Sequence, residues 1–258
     1  MFLKFQVNSK QYKKIYSFFL LGFVDYRNPR LEQIIAQSIH HSRIDLGEEN
    51  LIDQDMQIVV KQAIIDKQCA KLNLRNNPIT SKGALILASG LKKNSTLEKL
   101  HLCDTRIGDL GIQYIVKPLS NNKSILKILN LMDCHIANDG AEHLAVMLKT
   151  NKTLIFLDLT NNEIGDEGVA MLSNAIQNHN NTLQYLNLSA NKQMTDLSAN
   201  FLIEMIKYTR TLKALFVWSS NLSKENETIL QKTAQENKRI KISVNNSWIY
   251  WKCLRYIF

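Results

Sequence analysis

Six histidines and four cysteines are the side chains that could perform nucleophilic, acid–base or metal chemistry in this 258-residue sequence. The cysteines lack the short paired spacings of zinc or redox sites, and we interpret them as reduced thiols. No histidine stands in a recognisable nucleophile, metal or phosphate-binding motif. These residues are Cys69, Cys103, Cys134, Cys253, His40, His41, His101, His135, His143 and His179. We therefore predict that the protein is not an enzyme and needs no cofactor or metal.

A second group of residues has the chemistry of protein recognition. Large apolar and aromatic side chains near a carboxylate are typical of interaction hot spots, because they desolvate well and tolerate a polar rim. We assign a polar histidine to the same surface. The predicted protein-binding residues are His101, Ile128, Met132, Phe156, Asp158, Tyr185, Phe216 and Trp218.

These candidates are spaced by a repeat. Pairs of aliphatic residues separated by one position recur along the chain, and the second members of successive pairs are 28, 28, 29, 28, 29, 29 and 27 residues apart. The pairs are Ile44/Leu46, Leu72/Leu74, Leu100/Leu102, Leu129/Leu131, Leu157/Leu159, Leu186/Leu188, Leu215/Val217 and Ile242/Val244. A period this regular indicates a solenoid.

Each unit has the same internal order, illustrated by residues 157–168. The alternating pair predicts a short strand whose leucines point inward. A compact polar residue such as Asn162 follows, and its amide could satisfy buried backbone groups at the bend. A glycine such as Gly168 then opens a helix and allows close packing against the neighbouring unit. Pairs spaced i, i+4, such as Leu172 and Ile176, predict the buried helical face.

The architecture follows from these units. Each strand returns through a helix, so successive strands must pair in parallel. Strands stack about 4.8 Å apart whereas helices need about 8–10 Å, and the array must therefore bend with the sheet on the inside.

The pattern L-x-x-L-x-L-x-x-N/C-x-I, followed four residues later by Gly, resembles the ribonuclease-inhibitor-like class of leucine-rich repeats over roughly residues 41–244. The resemblance implies an α/β solenoid, a horseshoe arc with a parallel β-sheet on the concave face and α-helices on the convex face. The chain has far fewer cysteines and about half the repeats of ribonuclease inhibitor. Binding of ribonuclease is therefore not implied.

Three segments are predicted along the chain. Residues 1–40 form an N-terminal cap, in which residues 13–40 fit a degenerate first repeat, and the apolar run Ile15–Val24 favours a buried cap over a signal peptide. Residues 41–239 hold about seven repeats. Residues 240–258 hold the last strand and a C-terminal cap.

The concave sheet is the surface on which we expect a protein partner to bind. Residues before, between and after each inward pair are not constrained by the solenoid, yet several are apolar, and we expect an exposed patch there. Two other interpretations remain open. The C-terminal segment could fold back over these residues, or strand propensity alone could select aromatics.

The net charge of +9 lies mainly at the ends of the chain. Residues 1–30 contain six Lys or Arg against one acid, and residues 207–258 contain ten against three. The body is slightly acidic, so no continuous basic groove and no nucleic-acid partner are expected.

Alternative functions come from the chain ends and from the resemblance. The aromatic and basic segment Trp248–Phe258 could bind a membrane surface instead of capping the array. The resemblance also extends to regulators of small GTPases and to effectors that bacteria deliver into host cells. We expect a monomer in the cytoplasm. The effector hypothesis would require export of the protein into a host cell.

Overall fold

A computed structural model describes residues 26–120 and 124–244 of the chain. In these residues eight short parallel strands form one open sheet, and their order in the sheet is their order in the sequence. The strands are β1 Arg43–Asp45, β2 Lys71–Asn73, β3 Lys99–His101, β4 Ile128–Asn130, β5 Phe156–Asp158, β6 Tyr185–Asn187, β7 Ala214–Phe216 and β8 Lys241–Ser243.

One helix precedes β1, and the other helical segments return the chain from each strand to the next. They are α1 Pro29–Gln37, the 3-10 turn Asp53–Asp55, the short helix α2 Met56–Ile58, the π-helical segment Val59–Asp66, α3 Ser81–Leu91, α4 Gly108–Leu119, α5 Asn138–Thr150, α6 Asp166–Asn178, α7 Leu197–Tyr208 and α8 Lys224–Asn237. The predicted solenoid arc, with strands on the concave side and helices on the convex side, is confirmed.

The core lies between the sheet and the helices. Inward strand residues such as Leu157 and Leu159 are completely buried, as are the helical residues Leu172 and Ile176 that face them. Both members of the predicted i, i+4 pairs are buried in α3, α4, α5, α6 and α7. At about 25 cal/mol per Å² of apolar surface, this continuous core is the main stabilising term of the fold.

The predicted polar ladder is confirmed, and its bonds cross between repeats. Asn162 Nδ2 donates to the carbonyl of Leu131 in the preceding repeat at 2.8 Å. Its Oδ1 accepts from the backbone N–H groups of Cys134 and Ile136, both at 3.0 Å. One side chain thus satisfies three buried backbone groups of its neighbour, which would be costly to leave unpaired.

Replacing this ladder residue should be expensive. We expect Asn162→Ala to lower the free energy of unfolding by about 3 kcal/mol, because it leaves several buried backbone groups without partners. Chemical denaturation measures the change. Asn200→Ala, an exposed position in α7, is the matched control and should alter stability by less than about 0.5 kcal/mol. Equal effects of the two substitutions would contradict the assigned role.

The predicted close packing at the glycines is also confirmed, with a cause that the sequence did not reveal. An Asp or Asn from the preceding repeat caps the start of the next helix. Asp109 Oδ1 accepts from the N–H groups of Ala137 at 2.8 Å and Gly140 at 3.0 Å. Asn138 Oδ1 accepts in the same way from Gly165 and Gly168. A Cβ at Gly140 would collide with this carboxylate.

The substitution Gly140→Ala tests this packing. Alanine normally favours a helix over glycine by about 1 kcal/mol, but here the collision should produce a net loss of about 1–2 kcal/mol in unfolding free energy. The loss should shrink in the Asp109→Ala background, which removes the obstructing carboxylate. A Gly140→Ala protein as stable as wild type in thermal or denaturant unfolding would refute this explanation.

One junction departs from this pattern. Ser81 stands where other repeats have Asp or Asn, and the chain enters α4 through Gly108, whose φ of 57° suits glycine. This junction therefore lacks the longer Asp or Asn side chain that bridges two repeats elsewhere, and the backbone follows a different path into α4.

Several predictions fall outside the described residues. The run Ile15–Val24, most of the N-terminal cap, and the segment Trp248–Phe258 are among them. Within the described part, helix α1 buries Leu31 and Ile35 as expected for the end of a degenerate first repeat. The domain boundaries themselves stay predictions.

Candidate functional site

The concave face is formed by three rows of side chains that run across the strands. Strand register brings the residues of each row side by side, about one strand spacing apart. Row A, before the inward pairs, is Arg43, Lys71, Lys99, Ile128, Phe156, Tyr185, Ala214 and Lys241. Row B, between them, is Asp45, Asn73, His101, Asn130, Asp158, Asn187, Phe216 and Ser243. Row C, after them, is Gly47, Arg75, Cys103, Met132, Thr160, Ser189 and Trp218.

The face changes character along the array. Row A is basic over the first three strands, where Arg43, Lys71 and Lys99 are in register. It then becomes apolar through Ile128 and Phe156, which form a small cluster of their own against Tyr185. The rings of Phe156 and Tyr185 lie 6.2 Å apart at 38°, a separation in the range of aromatic pairs.

The prediction that this patch is exposed is wrong for three of its members, since Ile128 is 7%, Phe156 2% and Phe216 0% exposed. The flanking Asp158 is 0% exposed, and His101 is 7% exposed. In-register strands bring Ile128, Phe156 and Tyr185 into mutual contact, and this contact shields part of the Ile128 and Phe156 side chains from water. The sequence rule that outward residues are solvated ignored this lateral packing.

The other predicted site residues are accessible in part. Tyr185, Met132 and Trp218 are half-buried on the same face. The structure therefore brings all eight candidates onto one surface. Phe216 lies in row B with Asp158, whereas Phe156 lies in row A, as their positions relative to the inward pairs predict.

Asp158 is the most deeply placed charged candidate, with no exposed surface. Its Oδ1 accepts from the Thr160 hydroxyl at 2.6 Å and from the Thr160 N–H at 3.0 Å. Such bonds orient the carboxylate along the face. Thr160 is thus a site residue that the sequence prediction missed, although its row position could have indicated it.

Two further polar residues of the face were also missed. Asn187 Oδ1 accepts from the Ser189 N–H at 3.0 Å. The Nδ2 atom of Asn187 and the Oγ atom of Ser189 are buried, and within the described residues neither has a hydrogen-bond partner. Buried polar atoms of this kind are uncommon in folded proteins. They are available to bind a polar group from outside the described residues.

His101 is neutral at physiological pH. Burial, reinforced by the positive charges of Lys99 and Arg43, lowers its pKa to about 4. The neighbouring Cys103 thiol has its pKa raised to about 12, chiefly by burial. Neither side chain is suited to nucleophilic or acid–base chemistry near neutral pH.

This pKa predicts how stability depends on pH. The unfolded histidine has a pKa of about 6.5, so between pH 6.5 and 4 the unfolded state binds more protons and acid weakens the fold. His101 should account for a loss of about 3 kcal/mol across that window. The loss is measured by denaturant unfolding at a series of pH values. The His101→Gln protein should have a flatter profile there, and a profile parallel to wild type would contradict the assignment.

Residues 26–120 and 124–244 contain no group of three or more His, Cys, Asp or Glu side chains arranged to hold a metal ion. None of the helices within those ranges has the length and hydropathy of a membrane span.

Comparison with known proteins places the repeats in context. A family model described as "Leucine Rich repeat" matches residues 71–88, 93–116, 122–145, 150–173 and 179–199, from strand β2 into helix α7. NACHT, LRR and PYD domains-containing protein 3 is 31% identical over 161 residues in Homo sapiens, covering 62% of this chain and 15% of the relative. The Mus musculus protein of that name is 32% identical over 219 residues, covering 83% and 18%.

Ribonuclease inhibitor from Sus scrofa is 30% identical over 152 residues, covering 59% of this chain and 33% of the inhibitor. The chain thus spans about a third or less of the length of these curated relatives. Among solved structures, actin-binding site 2 of leiomodin-1 matches 78% of this chain and 94% of its own, at 18% identity and a TM-score of 0.41.

Proposed function

Because the chain is a leucine-rich-repeat protein of the ribonuclease-inhibitor-like type, we propose that it is a non-enzymatic scaffold that binds a protein partner through its concave face. The binding site is centred on Phe156, Asp158, Tyr185, Phe216 and Trp218. Leucine-rich repeats serve as protein-interaction scaffolds. The choice of the concave face and of its β4–β7 part is specific to this proposal.

One observation carries the proposal. The solenoid core lies on the other side of the sheet, so it does not require apolar residues in the three concave rows. Ile128, Phe156 and Tyr185 nevertheless form a separate apolar cluster there. Aromatic side chains grouped around an oriented carboxylate are the anchors from which protein interfaces gain most of their affinity.

The name of one relative supports the same use of the array. Ribonuclease inhibitor is named for its action on another protein, and pig ribonuclease inhibitor matches 59% of this chain. We infer a protein partner of a different identity, because the outward rows, which would determine specificity, are not set by the repeat pattern.

The burial of the face determines which residues a partner meets first. Tyr185, Met132 and Trp218 are partly accessible, whereas Phe156 and Phe216 are covered. A partner therefore contacts the accessible side chains first. For this reason the variants that test binding should alter the accessible residues, which contribute less to packing.

The test compares two double substitutions in affinity capture from a eukaryotic lysate. Tyr185→Ala with Trp218→Ala removes two aromatics from the concave face, and a specific partner should lose at least about 2 kcal/mol of affinity, or roughly 30-fold in Kd. Quantitative mass spectrometry of the captured proteins, followed by titration of the candidate, measures the loss.

The matched control is Phe201→Ala with Tyr208→Ala on the convex helix α7, where the two aromatics are 41% and 61% exposed. This variant should capture the partner as wild type does. Equal retention by both variants, or equal loss, would reject the concave face as the binding site.

The other hypotheses have less support. Membrane attachment depends on Trp248–Phe258, which lie outside the described residues. Regulation of a small GTPase and delivery into a host cell stay predictions to which no residue of the described structure has been assigned.

A further inference from the structure

Charged residues are sorted between the two edges of the sheet. Because the strands are parallel, the loops that lead from a helix into a strand share one edge, and those that lead from a strand into a helix share the other. Within the described residues the helix-to-strand loops contain nine Lys or Arg against one acid, Glu98. The strand-to-helix loops contain three Lys or Arg against six acids.

We call the first of these the basic edge. Its described loops are residues 38–42, 67–70, 92–98, 120 with 124–127, 151–155, 179–184, 209–213 and 238–240. Order along the chain hides this distribution, because each loop contributes only one or two cations.

Most cations of the basic edge are not used by the fold. Lys92, Lys93, Arg210, Lys213 and Lys238 are exposed, and their side chains have no hydrogen-bond or ion-pair partner within the described residues. These five like charges therefore repel one another with no compensating contact among the residues that the structure describes.

Helix capping does not explain these cations. A cation near the C-terminal end of a helix is stabilised by the helix dipole, but this effect falls off within the last turn. Lys213 stands five positions beyond Tyr208, the last residue of α7. The carbonyl of Ile206 in that last turn already accepts from Asn237 Nδ2 at 2.6 Å. An amide thus performs the capping at this helix end.

Acids of the opposite edge do have structural roles. Asp196 Oδ1 accepts from the Ser223 N–H at 2.7 Å, and Glu48 pairs with Arg75 at 2.7 Å. The fold therefore accounts for these carboxylates by bonds within the chain. The basic edge differs in presenting charge that is directed to solvent.

We propose that the basic edge docks the protein onto a membrane surface that contains anionic lipid headgroups. The contact is separate from the proposed function, because it uses none of the three concave rows. It also uses none of residues 245–258.

Breadth and residue type favour a bilayer over other anionic partners. The nine cations are distributed over six of the eight loops. With repeats about 5 Å apart at the strands and about 8–10 Å apart at the helices, they extend over roughly 30–60 Å. A bilayer offers a continuous negative surface of that extent. Seven of the nine are Lys, a point charge that lacks the bidentate fork with which Arg recognises individual phosphates.

Two exposed apolar side chains border the same edge. Ile39, in the loop 38–42, is 77% exposed, and Tyr208, at the end of α7, is 61% exposed. Tyrosine favours the boundary between headgroups and acyl chains, because its ring is apolar and its hydroxyl is polar. Apolar contact thus adds to the electrostatic attraction at this edge.

Sedimentation of the full-length chain with vesicles tests the proposal. Wild type should bind vesicles of equal parts phosphatidylserine and phosphatidylcholine, and bind vesicles of phosphatidylcholine alone much more weakly. The edge variant combines Lys92→Gln, Lys93→Gln, Arg210→Gln and Lys213→Gln. Since each cation near an anionic surface contributes about fivefold to partitioning, the variant should bind the acidic vesicles at least about 30-fold more weakly.

The matched control removes four charges elsewhere, as Lys82→Gln, Arg106→Gln, Lys192→Gln and Lys232→Gln. It has the net charge of the edge variant, and its four positions are also exposed. The control should bind the acidic vesicles to within about threefold of wild type, because distant charges are screened over about 8–10 Å.

Three results would overturn the proposal. Wild type might bind neither vesicle, or bind both equally. The edge and control variants might lose affinity to the same extent. A short DNA duplex might bind wild type more tightly than the acidic vesicles do and lose affinity only in the edge variant, which would assign the edge to nucleic acid.

A second measurement needs no substitution and is decisive even if the edge variant fails to fold. An amine-acetylating reagent modifies accessible lysines of wild type, and mass spectrometry measures each rate. Acidic vesicles should slow acetylation of Lys92, Lys93 and Lys213 several-fold and leave Lys82 and Lys192 unchanged. Equal slowing of the two sets, or none, overturns the proposal. Both experiments are independent of protein capture by the concave face.

Discussion

Hydrogen bonds that cross from one repeat to the next hold this solenoid in register. Each strand is three residues long, so many backbone groups near its ends must find partners outside the sheet ladder. Asn77, Asn162 and Asn191 satisfy them from inside. Because each of these asparagines bonds to the repeat before it, the repeats that they join depend on one another for their buried hydrogen bonds. Stability must therefore be shared between neighbours.

The helices depend on the same exchange. An Asp or Asn of the preceding repeat caps the start of the next helix, as Asp109 does for α5. At the opposite end, Asn151 Nδ2 donates to the Leu119 carbonyl at 2.8 Å, and Asn180 donates to that of Leu148 at 2.8 Å. Both ends of a helix are thus tied to its neighbours. Helix spacing and strand spacing are fixed together, and the concave rows acquire their register from this rigid frame.

Much of the fold could be predicted from the sequence because its determinants recur locally. The leucine pairs gave the strands, and i, i+4 spacing gave the helical faces. The caps were readable in principle, since Asn138-Asp139-Gly140 and Asp166-Glu167-Gly168 repeat one pattern, and residues 151–154 and 180–183 share the pattern Asn-x-Thr-Leu. The π-helical segment Val59–Asp66 could not be read, because nothing in its apolar spacing separates it from an α-helix.

The site was predictable in position and not in exposure. Repeat spacing alone puts Phe156 and Asp158 on the concave face. Their burial depends on contacts that reach beyond one unit, such as the lateral packing of Phe156 against Tyr185, and the period of one unit does not encode such contacts. Residues that the repeat pattern does not constrain, such as Phe216, are therefore the ones whose surroundings are hardest to predict from the sequence.

The central claim is that Phe156 and Phe216 on the concave face are shielded from water in the isolated chain, although neither belongs to the solenoid core. Hydroxyl-radical footprinting of wild-type protein tests it with two residues of one type, Phe216 at 0% and Phe201 at 41% exposure. The structure predicts that Phe216 is oxidised at a small fraction of the rate of Phe201. Similar rates for the two rings would show that the face is open and would contradict this account.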